Sequence, residues 1–309
     1  MTPRPAPVSR VVRDAAAELA EAGIGSARAE AEMICAHVAG VGRSTLALVD
    51  EVTSGQLSEI RRIVAARADE RAPLQYLLGQ AASGRLDLAV GPGVFIPRPE
   101  TELLVENALA VLPAPGGADP PIVVDLCAGS GTLALEIAHA RPDSRVHAVE
   151  LHPAALDWLR RNVADRAAAG DTPVHVHEAD ATDPDLLAEL RGTVTAVVSN
   201  PPYIPETDLL PPEVSGHEPP SALFGGPDGL AVIRPLLEVA ADLLAPGGRL
   251  AIEHDDSTGV AVAALVTAQG RFGTVERHTD LAGRPRFVTA TRLDDDGDDA
   301  PSGEKGTAR

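Results

Sequence analysis

Two short stretches carry residue types whose spacing could do chemistry. The first is Asn200-Pro201-Pro202-Tyr203, where the apolar run "TAVVSNPPYIP" stops. The Asn200 side-chain oxygen can accept one N–H of a planar amine or amide, and the Pro201 carbonyl can accept the other. Such a nitrogen has a delocalised lone pair and is a poor nucleophile. When it attacks an electrophilic methyl, positive charge builds on it, and two fixed acceptors stabilise that charge as an oxyanion hole stabilises the opposite one. Each proline fixes its own φ and lacks an N–H, and Pro202 holds Pro201 extended. The stretch is therefore a stiff, acceptor-only surface against which Tyr203 can lay its ring. Stiffening of an ordinary turn is the plain alternative.

The second stretch is "DLCAGSG", Asp125 to Gly131, where a strand-like run gives way to a helix-like one. Ligands of open α/β sheets bind at such strand ends. Gly129 and Gly131 permit a sharp turn and leave the backbone bare, so Cys127, Ala128, Gly129, Ser130 and Gly131 form a candidate cofactor loop. Glu150 ends the next strand and can accept hydrogen bonds from both hydroxyls of a ribose. Asp180 ends the third, where its carboxylate could meet an adenine amino group or cap a turn. Gly129-x-Gly131-x-x-Ala134 with Glu150 also fits a loose dinucleotide fingerprint, which keeps an NAD-dependent dehydrogenase open; no Gly-Lys-Ser/Thr follows, which disfavours a P-loop. His175 and His177 share a strand face without a third metal ligand, and no metal is expected. Glu253 to Asp256 follow a strand at the same end of the sheet and could reach the site or cap a helix. Cys127 has no basic partner and reads as a small loop residue.

The elements that must position these residues are legible from periodicity. Residues 1–80 read as a small helical domain: Val8, Val11, Val12, Ala15, Ala16 and Leu19 form one stripe, Ser26 is a candidate N-cap, and Thr53 with Gln56 has the capping-box spacing. Residues 81–121 read as a hairpin around Gly91-Pro92-Gly93 and a linker helix entered at Pro99. Strand and helix patterns alternate over 122–293, predicting a parallel sheet covered on both faces, with an antiparallel pair at one edge. A helix is expected over Asp228 to Leu244. The segment from Ile204 to Gly229 is long for a structureless connection, so it is expected to grip the substrate; deleting Glu213 to Pro220 should then weaken substrate binding alone. Residues 294–309 lack apolar periodicity and read as a disordered acidic tail.

Composition narrows the classes. The chain has 26 basic and 45 acidic residues, a formal charge of -19, whereas duplex-binding proteins carry a basic footprint. No direct nucleic-acid partner is expected. Two widely spaced cysteines argue against a disulfide framework. Neither a signal-peptide core nor a membrane-length apolar run is legible, so a cytoplasmic protein with no membrane partner is expected.

"DLCAGSG", Glu150 and "NPPY" together resemble the class I S-adenosylmethionine-dependent methyltransferases that act on planar nitrogens. "PLQYLLG", "GVFIPRPETELLVENAL", "LAPGGRLAIE" and "DLAGRPR", in that order, narrow the resemblance to the HemK/PrmC family of release-factor glutamine methyltransferases. It runs from about Ala15 to Arg292, and "FIPRPETE" beside "NPPY" is its most specific part. The resemblance implies an α/β fold, a class I (Rossmann-like) seven-stranded methyltransferase domain with a small helical N-terminal domain. It implies an enzyme using S-adenosyl-L-methionine, with peptide chain release factors as protein partners and the glutamine of their Gly-Gly-Gln motif as acceptor. The cofactor would meet Cys127 to Gly131, Glu150 and Asn200; Asn200, Pro201, Pro202 and Tyr203 would hold the glutamine amide; Phe95, Arg98 and Glu100 would line or brace the substrate side. Two departures stand out: the loop has Cys127-Ala128 where the family usually has Gly-Thr or similar, and "QAASGRLD" lacks an aromatic usual after the Tyr-Leu-x-Gly stretch. A ribosomal-protein glutamine methyltransferase, a DNA or RNA amino-methyltransferase, and a binding protein that keeps the fold are the alternatives.

Overall fold

The computed structural model describes residues 4–117 and 119–294. The expected disordered tail, apart from Asp294, lies outside the described residues. The first compact unit comprises residues up to Gln80 together with Val90–Pro92 and Leu210–Glu218; the second comprises Ala81–Ala89, Gly93–Leu209 and Pro219 onward.

In the first unit, α1 (Val8–Glu21) buries Val8, Val11, Val12, Ala15 and Leu19, the stripe its 3.6-residue period requires. Helices α2 (Ala27–Ala39), α3 (Ser54–Asp69) and α4 (Leu74–Leu78) pack a core around Leu19, Ile34, Ile60 and Ile63. The α3 capping box is complete: Thr53 N–H donates to Gln56 Oε1 at 2.9 Å, and Gln56 N–H to Thr53 Oγ1 at 3.3 Å. Ser26 stands at the N-cap of α2, but its hydroxyl donates to the Glu30 carboxylate and caps no backbone N–H.

The late segment Leu210–Glu218 folds into this helical unit. Arg67 donates to Glu30 at 2.7 Å and to Glu213 at 3.3 Å; Arg71 also pairs with Glu213. Nor is the stretch from Ile204 to Gly229 structureless, since it contains single helical turns at Pro212–Ser215 and Pro220–Leu223. Deleting Glu213 to Pro220 would remove structural ion pairs, so that deletion cannot isolate substrate binding.

The second unit is a seven-stranded sheet: β1 (Ile122–Leu126), β2 (Arg145–Glu150), β3 (His175–Glu178), β4 (Val194–Ser199), β5 (Leu244–Glu253), β6 (Phe272–Thr279) and β7 (Pro285–Arg292). The order is β6-β7-β5-β4-β1-β2-β3, with β7 antiparallel to both neighbours and the rest parallel. This is the class I methyltransferase fold. Alternate residues serve opposite faces. Val124, Val197 and Leu250 join a core with α8 (Ile233–Leu243) and α9 (Gly259–Gln269). Val123, Val198 and Ala251 join one with α5 (Glu102–Val111), α6 (Thr132–Ala140) and α7 (Pro153–Ala168).

Two local expectations fail for stated reasons. The hairpin pairs Gln80–Ser83 with Leu86–Ala89 and turns at Gly84-Arg85, not at Gly91–Gly93. There the Glu136 carboxylate accepts from Arg85 and Leu86 N–H, and it lies 2.9 Å from where a Gly84 Cβ would stand. Helix α8 begins at Ile233 rather than Asp228, because Gly229 has φ +74° and Asp228 caps Leu230 N–H in a turn.

Candidate active site

Strand β1 lies between β4 and β2, so the chain's connections leave it in opposite directions and open a crevice at its carboxyl end. A cavity of about 340 Å3 occupies that crevice. Its wall includes Cys127, Ala128, Gly129, Ser130, Glu150, Asp180, Asn200, Pro202, Tyr203 and Phe95, all singled out from the sequence.

The glycine loop is built by its backbone. Ala128 N–H donates to Val149 O and Gly131 N–H to Ala128 O. Gly131 has φ +96°, and a Cβ there would stand 2.8 Å from Leu135 and Leu159; glycine is required by both conformation and packing. A Cβ on Gly129 would meet nothing within 4 Å, which leaves room for a ligand. Gly131 thus serves the packing of α6 and α7, whereas Gly129 faces open space. Glu150 accepts from Gly129 N–H at 2.8 Å and His152 N–H at 2.7 Å, which fixes its carboxylate at the cavity wall. Asp180 accepts from the Thr182 N–H and hydroxyl, so it lines the cavity and closes a turn at once. Burial pushes the Cys127 thiol far up, and the negative charges of Glu150 and Asp125 add to this; it is no nucleophile.

Sequence reasoning missed Asp125 as a wall residue. Its Oδ2 accepts from Ala134 N–H, while its buried Oδ1 has no partner. Burial holds this carboxyl well above the usual range, with the Glu150 charge adding to the effect. A buried, unpaired carboxyl beside a cavity is one that a ligand's cationic donor would return to its ionised, accepting form. Leu151 also reaches the wall and exposes an apolar surface beside Glu150. Asn162 was missed too: its amide donates to Ala89 O and Ser130 O and accepts from Ala89 N–H, joining the hairpin to the glycine loop.

Asn200 follows the last residue of β4. Its Nδ2 donates to Thr101 Oγ1 at 3.3 Å, and the Thr101 hydroxyl donates to Glu253 Oε2 at 3.0 Å. Tyr203 Oη donates to Glu253 Oε1 at 2.8 Å. Among the described residues no group donates to Asn200 Oδ1, which leaves it available to an incoming N–H. Pro201 is buried and stands off the wall. Arg98 and Glu100 also lie off the wall; the Arg98 guanidinium sits 4.8 Å from the centre of the Phe95 ring and so braces a residue that does line it. Of the Glu253 to Asp256 run, Glu253 backs the site, while Asp255 closes a turn with Ser257 ahead of α9.

His147 joins His175 and His177 in a stack, with ring centroids 4.9 and 5.2 Å from its own. Burial lowers the His147 pKa to about 4. Among the described residues no cluster of three or more His, Cys, Asp or Glu is placed to hold a metal ion. No helix among them is long and apolar enough to cross a membrane.

The chain matches the family model described as the PrmC N-terminal domain over residues 10–79 and that of the methyltransferase small domain over residues 99–209. It is 53% identical over 283 residues to a release factor glutamine methyltransferase of Mycolicibacterium smegmatis, covering 91% of this chain and 96% of the relative. It is 48% identical over 283 residues to one from Mycobacterium tuberculosis, covering 90% of this chain and 89% of that one. A 4-amino-L-phenylalanine/4-methylamino-L-phenylalanine methyltransferase of Streptomyces pristinaespiralis is 39% identical over 279 residues, covering 88% and 91%.

Proposed function

The chain belongs to the family of release factor glutamine methyltransferases, and on that premise we propose what its site does. It transfers a methyl group from S-adenosylmethionine to the side-chain amide nitrogen, N5, of the glutamine in the Gly-Gly-Gln motif of peptide chain release factors. The observation that carries this is that Asn200, whose Oδ1 receives no hydrogen bond among the described residues, lines the same cavity as the glycine loop and Glu150.

S-adenosylmethionine supplies an electrophilic methyl on a sulfonium sulfur. The residues present fit it: Gly129 leaves open space, Glu150 offers acceptors for the ribose hydroxyls, and the orphaned Asp125 Oδ1 suits an ammonium donor. Asp180 would meet the adenine end, and Leu151 would offer it an apolar surface; both line the cavity. Asn200 Oδ1 accepts one N–H of the glutamine amide, and the Pro201 carbonyl, off the cavity wall as it stands, would have to turn toward the cavity to accept the other. These acceptors aim the nitrogen and stabilise the charge that develops as it attacks. Tyr203 and Phe95 enclose the planar amide and exclude water. The product loses its extra proton to solvent. A release factor as partner places the reaction in the cytoplasm.

The test is transfer of labelled methyl from S-adenosylmethionine, with purified release factor, ribosomal protein, nucleic acid and 4-amino-L-phenylalanine as separate acceptors. A single methyl on the Gly-Gly-Gln glutamine is expected. Label confined to any of the other three would overturn the substrate while leaving the acceptor chemistry of Asn200 in place.

A further inference from the structure

Glu253 does not line the cavity, yet it is the common partner of two residues that do, Thr101 and Tyr203. It closes β5 with 1% of its surface exposed. Its Oε2 receives the Thr101 hydroxyl and its Oε1 the Tyr203 hydroxyl, and Thr101 Oγ1 in turn receives Asn200 Nδ2. The directions of these bonds are coupled. An ionised carboxylate only accepts, and a threonine hydroxyl has one proton to give. While Glu253 is ionised, the Thr101 proton is committed to it, and Thr101 can offer Asn200 only a lone pair. The Asn200 amide must then turn its NH2 group to Thr101, which leaves Oδ1 for the cavity.

A proton on Glu253 lets the relay reverse. The carboxyl can donate to Thr101 Oγ1, the Thr101 proton then turns toward Asn200, and the amide is satisfied only after rotating by half a turn. Its NH2 would now face the N–H groups of the acceptor, donor against donor. We propose that Glu253 is a positioning residue: acting through Thr101, its carboxylate sets which end of the Asn200 amide meets the nitrogen to be methylated. This rests on the methyl-transfer reading above and deepens it.

The surroundings put the switch within reach. Burial raises the Glu253 carboxyl to about 7, with hydrogen bonds from Tyr203 and Thr101 and the charge of Arg286 on β7 opposing the rise, and Glu100 in the turn before α5 adding to it. His254, next on the strand, turns its Nδ1 to Asp255 O and is itself held below its ordinary value by burial. The competent form is the ionised one, so transfer should fail as pH falls through about 7. The acceptor amide itself has no titration there.

The experiment is the single-turnover transfer rate to release factor against pH, for wild type, Thr101→Val, Thr101→Ser, Glu253→Gln and the double variant Glu253→Gln/Thr101→Val. S-adenosylmethionine affinity and melting temperature confirm that each is folded. Wild type should lose rate progressively on the acid side. Thr101→Val should be slower by roughly 10- to 100-fold, lack the acid limb and keep its cofactor affinity. Thr101→Ser should restore both rate and limb. Glu253→Gln should also lose the limb, and the double variant should be within about threefold of Thr101→Val, since two breaks in one relay do not multiply. An acid limb that survives in Thr101→Val, or losses that multiply in the double variant, would overturn the relay. A wild type that methylates none of the acceptors tried would overturn the functional reading itself, which is a separate and recognisable failure.

Discussion

Tyr203 Oη and Glu253 Oε1 meet at 2.8 Å across 50 positions of sequence. The bond pins the loop after β4 to the end of β5, and it does so with a carboxylate buried among groups that only partly compensate it. Such a site stores cost for the sake of geometry.

That cost has a sign. The folded-state carboxyl of Glu253 is raised from 4.5 to about 7, so its stabilising contribution is full below the unfolded value and is lost as pH rises through the folded one. A shift of that size corresponds to roughly 3 kcal/mol. Glu253→Gln should therefore be more stable than wild type by about 1–3 kcal/mol at about pH 8.5, after allowance for weakened hydroxyl bonds, with the gap closing toward about pH 5. Urea denaturation at the two pH values measures it; a variant less stable at the higher pH would show that the carboxylate is fully compensated.

Asn200→Ala removes the acceptor that works on developing charge. The expected loss in kcat is roughly 100- to 1,000-fold, with S-adenosylmethionine affinity changed by less than about threefold. Calorimetric titration of the cofactor beside turnover decides it, and equal losses in both would make Asn200 chiefly a cofactor ligand.

How much was readable from the sequence follows from how local each signal is. The α1 stripe, the β1–β4 strands, the glycine loop and the Asn200-Pro-Pro-Tyr203 stretch declare themselves within a few residues. The relay does not: Thr101 and Glu253 are 152 positions apart, and an acid ending a strand reads the same whether it backs a site or faces water. The hairpin turn was misplaced because Gly91-Pro92-Gly93 has the stronger local turn signal, while the carboxylate that receives the true turn comes from Glu136 on α6. The structural role of Glu213 was not legible because its partners, Arg67 and Arg71, stand 146 and 142 positions earlier.

Glu213 is held below the usual carboxylate range, its burial outweighed by a backbone hydrogen bond and by the charges of Arg71 and Arg67. A depressed folded value contributes stability above the unfolded value and loses it as pH falls through the folded one. Glu213→Gln should destabilise the protein by about 1–3 kcal/mol at neutral pH, because it leaves the buried Arg67 with one carboxylate partner fewer, and by less in acid. Thermal melts of wild type and variant at neutral and acid pH test this; a loss relative to wild type no larger at neutral pH than in acid would mean the ion pairs are screened.

Cys127 has φ +66°, in the left-handed region. That conformation costs a side-chain-bearing residue about 1–2 kcal/mol, whereas glycine loses about 0.5–1 kcal/mol through its freer unfolded chain. Cys127→Gly should thus gain up to about 1 kcal/mol. A lower urea midpoint for the variant would mean that the packing of Sγ outweighs the strain.

Asn162 is 2% exposed and makes three hydrogen bonds, two to Ala89 and one to Ser130 O. Truncation strands two carbonyls and one N–H in the interior, each costing about 1–3 kcal/mol where water cannot reach. Asn162→Ala should destabilise the protein by about 3 kcal/mol or more. Asn162→Asp separates shape from chemistry: it keeps the acceptor for Ala89 N–H but sets a carboxylate against two carbonyl oxygens. It should therefore be at least as damaging as alanine, and because Ser130 O belongs to the glycine loop, both variants should weaken S-adenosylmethionine binding. Stability lost with cofactor affinity untouched would show that the loop holds its shape through the bonds of Ala128, Gly129 and Gly131 alone.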